Sequence, residues 1–181
     1  MRRELIHEIE IPEKINAIIE GNVLKLKSED GNEIKKQFNT GKITFEKKGK
    51  KIVLGNKRAT KNEKKLINTI VAHISNMIHG LEEKYEYQLK VCSSHFPITI
   101  EINGKEVSIK NFLGEKVPRK TKILDDVDVK INRDIITVTS FNKEHAGQTA
   151  ANLEKATLVR SRDRRIFQDG IFITSKPGRV I

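Results

Sequence analysis

The chain has 181 residues, of which 36% are hydrophobic and 33% are charged, and its 35 Lys and Arg outnumber its 24 Asp and Glu to give a net charge of +11. This basic excess favours a polyanionic partner, nucleic acid or an anionic membrane surface, over a merely lysine-rich solvated exterior. A single cysteine, Cys92, excludes an intramolecular disulfide and fits a cytoplasmic location, and the absence of a signal peptide and of any apolar run of about 18 residues predicts no membrane span.

The first half of the chain has the pattern of short strands followed by a helix. Over residues 4–54 apolar residues alternate with polar ones, and Lys48-Gly49-Lys50 lies between two apolar runs, which predicts a hairpin turn. Thr60 and Glu63 have the spacing of a helix capping box. Apolar residues then recur at helical spacing from residue 66 to residue 78, and Gly80 is the predicted C-terminal stop of this helix.

The second half repeats this order of elements. Asn103-Gly104 predicts a hairpin between two alternating runs. Asn142 is the predicted N-cap of a second helix. The apolar face of that helix consists of small or aliphatic side chains, namely Ala146, Ala150, Leu153 and Thr157.

The two halves align at a nearly constant offset, which coincidence among short strands explains poorly. Phe45 aligns with Val129 at an offset of 84, and Gly80 aligns with Gly170 at an offset of 90, so we expect a longer helical region in the second half. We predict an α+β fold of two tandem duplicated modules, each a small antiparallel sheet with one helix packed on a face. The predicted modules are residues 1–91, which are lysine-rich, and residues 92–181, which carry the main RNA-binding surface and a C-terminal arm.

Signatures of catalysis and metal binding are missing from the sequence. Gly49 to Lys57 lacks the spacing of a phosphate-binding loop, and no nucleophile elbow is present. Cys92 and His95 supply only half of a zinc site, and the acidic cluster of Asp125, Asp126 and Asp128 indicates a solvated turn. We therefore expect no catalytic residue, metal, cofactor or small-molecule substrate.

Arginines concentrate after the second predicted helix. Four of them, Arg160, Arg162, Arg164 and Arg165, occur within six positions beside one acid, Asp163. The guanidinium group binds phosphate through two parallel hydrogen bonds and stacks on bases, and each neutralised phosphate releases a counterion. A favourable helix C-terminus would explain one or two such cations but not four. This segment therefore predicts RNA contact.

Other basic residues of the second module complete the predicted RNA-binding set. They flank prolines or open the second helix, and they are Lys116, Arg119, Lys120, Lys143, Lys176 and Arg179. The last two lie in a tail that is predicted to be an extended arm. Aromatic residues make up only 5% of the chain, which argues against a single-strand binder built on stacking and favours folded RNA recognised through its backbone and shape.

Four stretches of the second module resemble the archaeal and eukaryotic branch of the large-subunit ribosomal protein L6 family. They are Ser94–Ile98, Lys110–Lys116, His145–Leu153 and Arg162–Ile171. The resemblance extends over nearly the whole chain and implies the same duplicated α+β fold. It further implies binding to large-subunit rRNA chiefly through the second module, near the stalk base that receives translation factors and beside neighbouring ribosomal proteins.

Three functions are thus open at this point. The main hypothesis is a structural rRNA-binding constituent of the large ribosomal subunit in the cytoplasm. The second is a free-standing nucleic-acid-binding regulator, which would bind small RNAs or DNA away from ribosomes. The third is an enzyme that uses an unrecognised site around Cys92 and His95.

Overall fold

The computed structural model describes residues 3–181 and divides them between two units, one ending at Glu83 and the other running from Lys84 to Ile181. Residues 1 and 2, which belong to the predicted first module and to the segment in which no signal peptide is expected, lie outside the described residues. Among residues 3–181, no helix is long and apolar enough to cross a membrane.

The first unit contains six strands and one helix. The strands are β1 (Arg3–Glu10), β2 (Ile15–Glu20), β3 (Val23–Ser28), β4 (Glu33–Gln37), β5 (Thr44–Lys48) and β6 (Lys51–Ala59). They form two antiparallel sheets with the orders β1-β6-β5 and β2-β3-β4. The predicted hairpin is confirmed, because Gly49 with a φ of +60° turns the chain between β5 and β6 and Phe45 pairs with Leu54.

The helix α1 (Lys61–Glu82) begins as predicted but ends later. The hydroxyl of Thr60 caps its N-terminus, and the backbone N–H of Thr60 donates to Glu63 Oε2 at 2.8 Å, which confirms the capping box. The predicted stop at Gly80 is wrong, since Gly80 is buried within the last turn. The buried side chain of Leu81 extends the apolar stripe beyond it, and the helix ends only where the N–H of Glu83 donates to His79 O.

The second unit repeats these elements and adds two strands. They are β7 (Tyr85–Cys92), β8 (Thr99–Asn103), β9 (Glu106–Lys110), β10 (Arg119–Lys122), β11 (Asp128–Asn132), β12 (Ile135–Ser140), α2 (Lys143–Ala156), β13 (Gly170–Lys176) and β14 (Arg179–Val180). One antiparallel sheet has the order β10-β9-β8, and the other has the order β11-β12-β7-β13-β14.

The duplication predicted from the sequence is visible in the strand pairing. Phe45 pairs with Leu54 between β5 and β6, and Val129 pairs with Val138 between β11 and β12, at the equivalent positions of the two units. The order β5-β6-β1 is repeated as β11-β12-β7. The α+β fold with duplicated modules is therefore confirmed, with two small sheets in each unit where one was expected.

Other details of the second half differ from the sequence-based predictions. The helix α2 has 14 residues against 22 in α1, so the extra length lies in the loop after α2 and not in a longer helix. Gly170, with a φ of +156°, opens β13, and its alignment with the helical Gly80 is wrong. The tail is a hairpin in which Lys176 pairs with Arg179, and it is not an extended arm.

The structure divides the chain after Glu83, whereas the sequence places the boundary after Val91. The physical reason is the pairing of β7. This strand is hydrogen-bonded to β12 on one side and to β13 on the other, so it is the centre of the five-stranded sheet of the second unit. The division therefore precedes the strand.

The helix α2 packs its small apolar face on the five-stranded sheet. Its N-cap is Asn142, as predicted, whose side chain accepts a hydrogen bond from Glu144 N at 3.0 Å. The core of this unit brings side chains of the helix and of three strands together, namely Ala146, Ala150, Leu153, Leu89, Ile136, Val138 and Ile171. This packing fixes the C-terminus of α2 beside the start of β13, where the arginine-rich segment lies.

Replacing Leu153 with Ala tests this packing. Leu153 is only 1% exposed, so we expect Leu153→Ala to lower the free energy of unfolding by about 2–5 kcal/mol through lost burial and a residual cavity. Leu158 is 40% exposed, so we expect Leu158→Ala to change stability by no more than about 0.5 kcal/mol. Urea titration followed by circular dichroism measures both. Equal losses for the two variants would contradict the assignment of this core.

Candidate RNA-binding surface

The four clustered arginines lie in a compact turn between α2 and β13, here called the arginine loop (residues 158–169). The carbonyl oxygen of Asp163 accepts hydrogen bonds from Ile166 N at 3.1 Å and Phe167 N at 2.9 Å. The side chain of Gln168 donates to Arg165 O at 3.1 Å. The loop is thus held by its own backbone and side chains, and this order limits the entropy lost when it binds a ligand.

Arg165 and Asp163 form an ion pair at the tip of this loop. Arg165 Nη2 lies 2.7 Å from Asp163 Oδ2, and the Arg165 N–H donates to Asp163 Oδ1 at 2.9 Å. The hydrogen bonds from the guanidinium lower the pKa of the Asp163 carboxyl and raise that of Arg165. The Arg165 side chain is 90% exposed, and such exposed pairs contribute only about 0–1 kcal/mol. A phosphate can therefore take the place of Asp163 at little cost.

Arg162, Phe167 and His95 form a stack of planar groups at the base of the loop. The Arg162 guanidinium lies 4.8 Å from the centre of the Phe167 ring. On this ring the imidazole of His95 stacks with a centroid distance of 4.9 Å and an interplanar angle of 21°. Because cation–π contact restrains a guanidinium, the stack gives Arg162 a preferred direction.

The buried carboxylate of Asp169 connects this stack to the end of β7. Asp169 is 1% exposed, and its Oδ1 accepts hydrogen bonds from Ser94 N at 2.5 Å and His95 N at 3.0 Å. Its Oδ2 lies 2.5 Å from His95 Nδ1. Burial opposes ionisation of this carboxyl, but the hydrogen bonds from His95 and Ser94 outweigh it and lower the pKa of Asp169. The charged form therefore holds residues 94 and 95 against the arginine loop.

Arg119 joins the segment around Pro118 to the arginine loop. Its guanidinium donates to Glu115 Oε1 at 2.6 Å, and to the carbonyl oxygens of Ala156 at 2.9 Å and Leu158 at 3.1 Å. The hydrogen bond from Arg119 lowers the pKa of Glu115, and the charges of Arg119 and Arg162 lower it further. Arg119, predicted as an RNA contact, thus has its donors directed to groups within the fold, and it attaches the segment that contains Lys116 to the start of the arginine loop.

The remaining predicted residues lie elsewhere on the unit. Lys120 pairs with Glu106 at 3.0 Å, and Lys143 Nζ lies 5.3 Å from the centre of the Tyr85 ring at the opposite end of α2. At a rise of about 1.5 Å per residue, α2 separates Lys143 from the arginine loop by about 20 Å. Lys176 and Arg179 lie at the far end of β13, also about 20 Å from its start.

Five of the predicted cations keep their charge unpaired within residues 3–181, namely Lys116, Arg160, Arg164, Lys176 and Arg179. Three of these belong to the arginine loop or to the segment that Arg119 attaches to it.

Among residues 3–181, no group of three or more His, Cys, Asp and Glu side chains could hold a metal ion. His95, which with Cys92 has the spacing of half a zinc site, directs its ring at the Asp169 carboxylate instead.

Sequence reasoning did not identify Asp169, His95 and Phe167 as parts of this surface. Asp169 stands 74 positions after His95, so their hydrogen bonds are not encoded in local spacing. The only local signal is that Asp169 directly precedes the apolar strand β13, where an acid that becomes buried needs a hydrogen-bond or charge partner.

Comparison with known proteins agrees with the resemblance noted in the sequence. The family model described as Ribosomal protein L6 matches residues 96–170. The large ribosomal subunit protein uL6 of Methanobrevibacter smithii is 43% identical over 169 residues, which cover 93% of this chain and 94% of that protein. Proteins of the same name from Methanosphaera stadtmanae and Methanococcus vannielii are 44% and 41% identical, over 93% and 96% of this chain and 91% and 95% of the relatives.

Asp169→Asn tests the role assigned to the buried carboxylate. At pH 7 we expect the free energy of unfolding to fall by about 1–3 kcal/mol, because buried hydrogen bonds to a charged acceptor are weakened. The folded pKa of Asp169 lies below the unfolded value of about 3.9, so its contribution is present above that pH and is lost as the pH falls through the folded pKa.

Urea titrations of the natural chain and of Asp169→Asn from pH 7 to pH 3 check this expectation. The difference between the two proteins should shrink as the pH falls below about 4, where the carboxyl of Asp169 takes up a proton. A difference that grows below pH 4, or that is missing at pH 7, would show that the charge of Asp169 does not hold this surface together.

Proposed function

The chain belongs to the ribosomal protein L6 family, and on this premise we propose that it is a structural constituent of the large ribosomal subunit that binds large-subunit rRNA near the factor-binding stalk base. The observation that carries the proposal is the arginine loop, which presents exposed guanidinium groups on an ordered turn within the segment matched by the family model. The position near the stalk base rests on the family resemblance.

Electrostatics and order both support RNA binding by this loop. Arg160 and Arg164 are exposed, and among residues 3–181 no acid pairs with them. The turn orders the backbone that carries these side chains, and each guanidinium can bind two phosphate oxygens through parallel hydrogen bonds. Release of condensed counterions from the RNA then supplies most of the free energy of binding, which makes the affinity strongly dependent on salt.

The proposed contacts differ in role. Lys116, Arg160, Arg162, Arg164 and Arg165 form the primary RNA-binding surface, because they lie in the arginine loop or in the segment that Arg119 attaches to it. Arg119 acts there by holding the Lys116 segment on the loop, since its guanidinium is directed to Glu115 and to two carbonyl groups. The more distant cations are proposed as separate backbone contacts, namely Lys120, Lys143, Lys176 and Arg179.

The same proposal gives the chain no catalytic role. The family consists of structural proteins, and the relatives carry the name of a subunit component. His95 is oriented by Asp169 and packed on Phe167, which suits a positioning role better than proton transfer to a substrate. We expect rRNA and neighbouring ribosomal proteins near the stalk base as partners, in the cytoplasm, with no small-molecule substrate.

Removing two arginines tests the primary surface. We expect Arg162→Ala combined with Arg165→Ala to weaken binding of large-subunit rRNA by about 100- to 10,000-fold, since hydrogen bonds to charged groups contribute about 1.5–3 kcal/mol each and two contacts are lost. The slope of log affinity against log salt should fall by about one for each phosphate contact that is lost. Filter binding at several salt concentrations measures both quantities.

The matched control removes two charges from the first unit. Lys48 and Lys64 are exposed, so Lys48→Ala combined with Lys64→Ala changes the net charge equally but leaves the arginine loop intact. This control should lose much less affinity. If the two double variants weaken binding to the same degree, net charge alone explains binding and the arginine loop is not the site.

A further inference from the structure

A cavity of about 710 Å³ lies beside the arginine loop, between the end of α2 and the start of β13. Its volume is within the range of about 300–1,000 Å³ that is usual for sites that enclose a small ligand. The lining includes Arg164, Phe167 and Gln168 of the arginine loop, so the cavity opens on the proposed RNA-binding surface.

One wall of the cavity is apolar and accessible. Phe172 is 43% exposed and Leu158 is 40% exposed, and both line the cavity together with Phe167. Gly170 supports the Phe172 ring, because a Cβ atom at this position would lie 3.2 Å from the ring. An exposed aromatic ring supported by backbone in this way offers a platform on which another flat group can stack.

The exposed charges of the same cavity are cationic. Lys155 and Arg164 are exposed, and no acid within residues 3–181 forms an ion pair with either side chain. The two acids of the lining are less exposed and accept from backbone groups, since Asp169 accepts from Ser94 N and His95 N, and Glu154 Oε1 accepts from Ile173 N at 3.4 Å. A ligand with a flat apolar face and a negative charge would match both the apolar wall and the two cations.

We propose that this cavity binds one unstacked nucleotide of the bound RNA, with its base against Phe172 and its phosphate between Arg164 and Lys155. The inference rests on the proposed function and names the part of the RNA that the surface takes. An apolar side chain of another protein would match the wall but would leave the two cations without a partner. An RNA duplex would match the cations but could not place a base in the cavity, because its bases are stacked.

The low aromatic content of the whole chain argues against stacking on bases, but the aromatic residues are not evenly distributed. The chain has seven Phe residues, but two of them, Phe167 and Phe172, line this cavity beside the arginine loop. Whether a base can stack depends on how many aromatic side chains lie at one place and how exposed they are, and the composition of the whole chain shows neither. Folded RNA with an extruded base is consistent with both the cationic surface and this cavity.

The absence of Trp from the chain makes a direct test possible. Phe172→Trp introduces a single indole into the wall of the cavity, and Phe45→Trp introduces one at a half-buried Phe of the first unit, where no RNA contact is proposed. Deproteinised large-subunit rRNA is the probe. We expect rRNA to quench the emission of Phe172→Trp and to leave that of Phe45→Trp unchanged, because a stacked base quenches an indole.

Affinity supplies the second measurement. Phe172→Leu keeps an apolar wall but removes the aromatic face, and we expect it to weaken rRNA binding by about 5- to 100-fold, as for the loss of one stacked base. Urea titration checks that this variant remains folded. Unchanged affinity of the folded variant would overturn the inference.

Two further outcomes separate this inference from the proposed function. If filter binding shows that Phe172→Trp retains rRNA but its emission is unchanged, the inference fails and the proposed function stands. If a fully duplexed RNA with the same number of phosphates quenches as strongly as rRNA, base stacking is not the cause and the inference also fails. If the natural chain itself does not retain rRNA, the proposed function fails, and the inference that rests on it fails with it.

Discussion

The buried carboxylate of Asp169 is the contact on which the rest of this surface depends. It lies at the end of the arginine loop and accepts hydrogen bonds from Ser94 and His95, at the end of the central strand of the sheet. A buried charge without hydrogen-bond partners is costly, so these hydrogen bonds favour the arrangement in which the two segments meet. Phe167 and then Arg162 stack on the His95 ring that Asp169 orients, and the loop inherits the rigidity of the sheet.

The cations of the second unit divide into two physical classes. Arg119 is directed inward, where its guanidinium satisfies carbonyl groups at the end of α2 that the helix leaves without partners. The arginines of the loop are exposed, and the one ion pair among them, Arg165 with Asp163, is weak enough for a phosphate to replace the acid. The first class holds the surface in shape, and the second class is the one that we propose to contact RNA. A net charge of +11 does not distinguish these two classes.

Local sequence signals predicted much of the fold. The capping box at Thr60, the N-cap at Asn142 and the hairpin turn at Gly49 depend only on neighbouring residues, and the duplication followed from a repeated order of such signals. The stop at Gly80 was wrong because buried packing of the following turn outweighed the preference of glycine for helix ends. The contacts of Asp169 and the separation of Lys143 from the arginine loop depend on tertiary structure, which spacing along the chain does not encode.

Sedimentation of a cell extract through a sucrose gradient tests the central claim most directly. If the chain is a structural constituent of the large ribosomal subunit, it migrates with large subunits and stays there at moderate salt, whereas the chain with Arg162→Ala and Arg165→Ala is depleted from those fractions. A natural chain that remains at the top of the gradient would contradict the ribosomal assignment. The free-standing nucleic-acid-binding regulator would then become the better account of its basic surface.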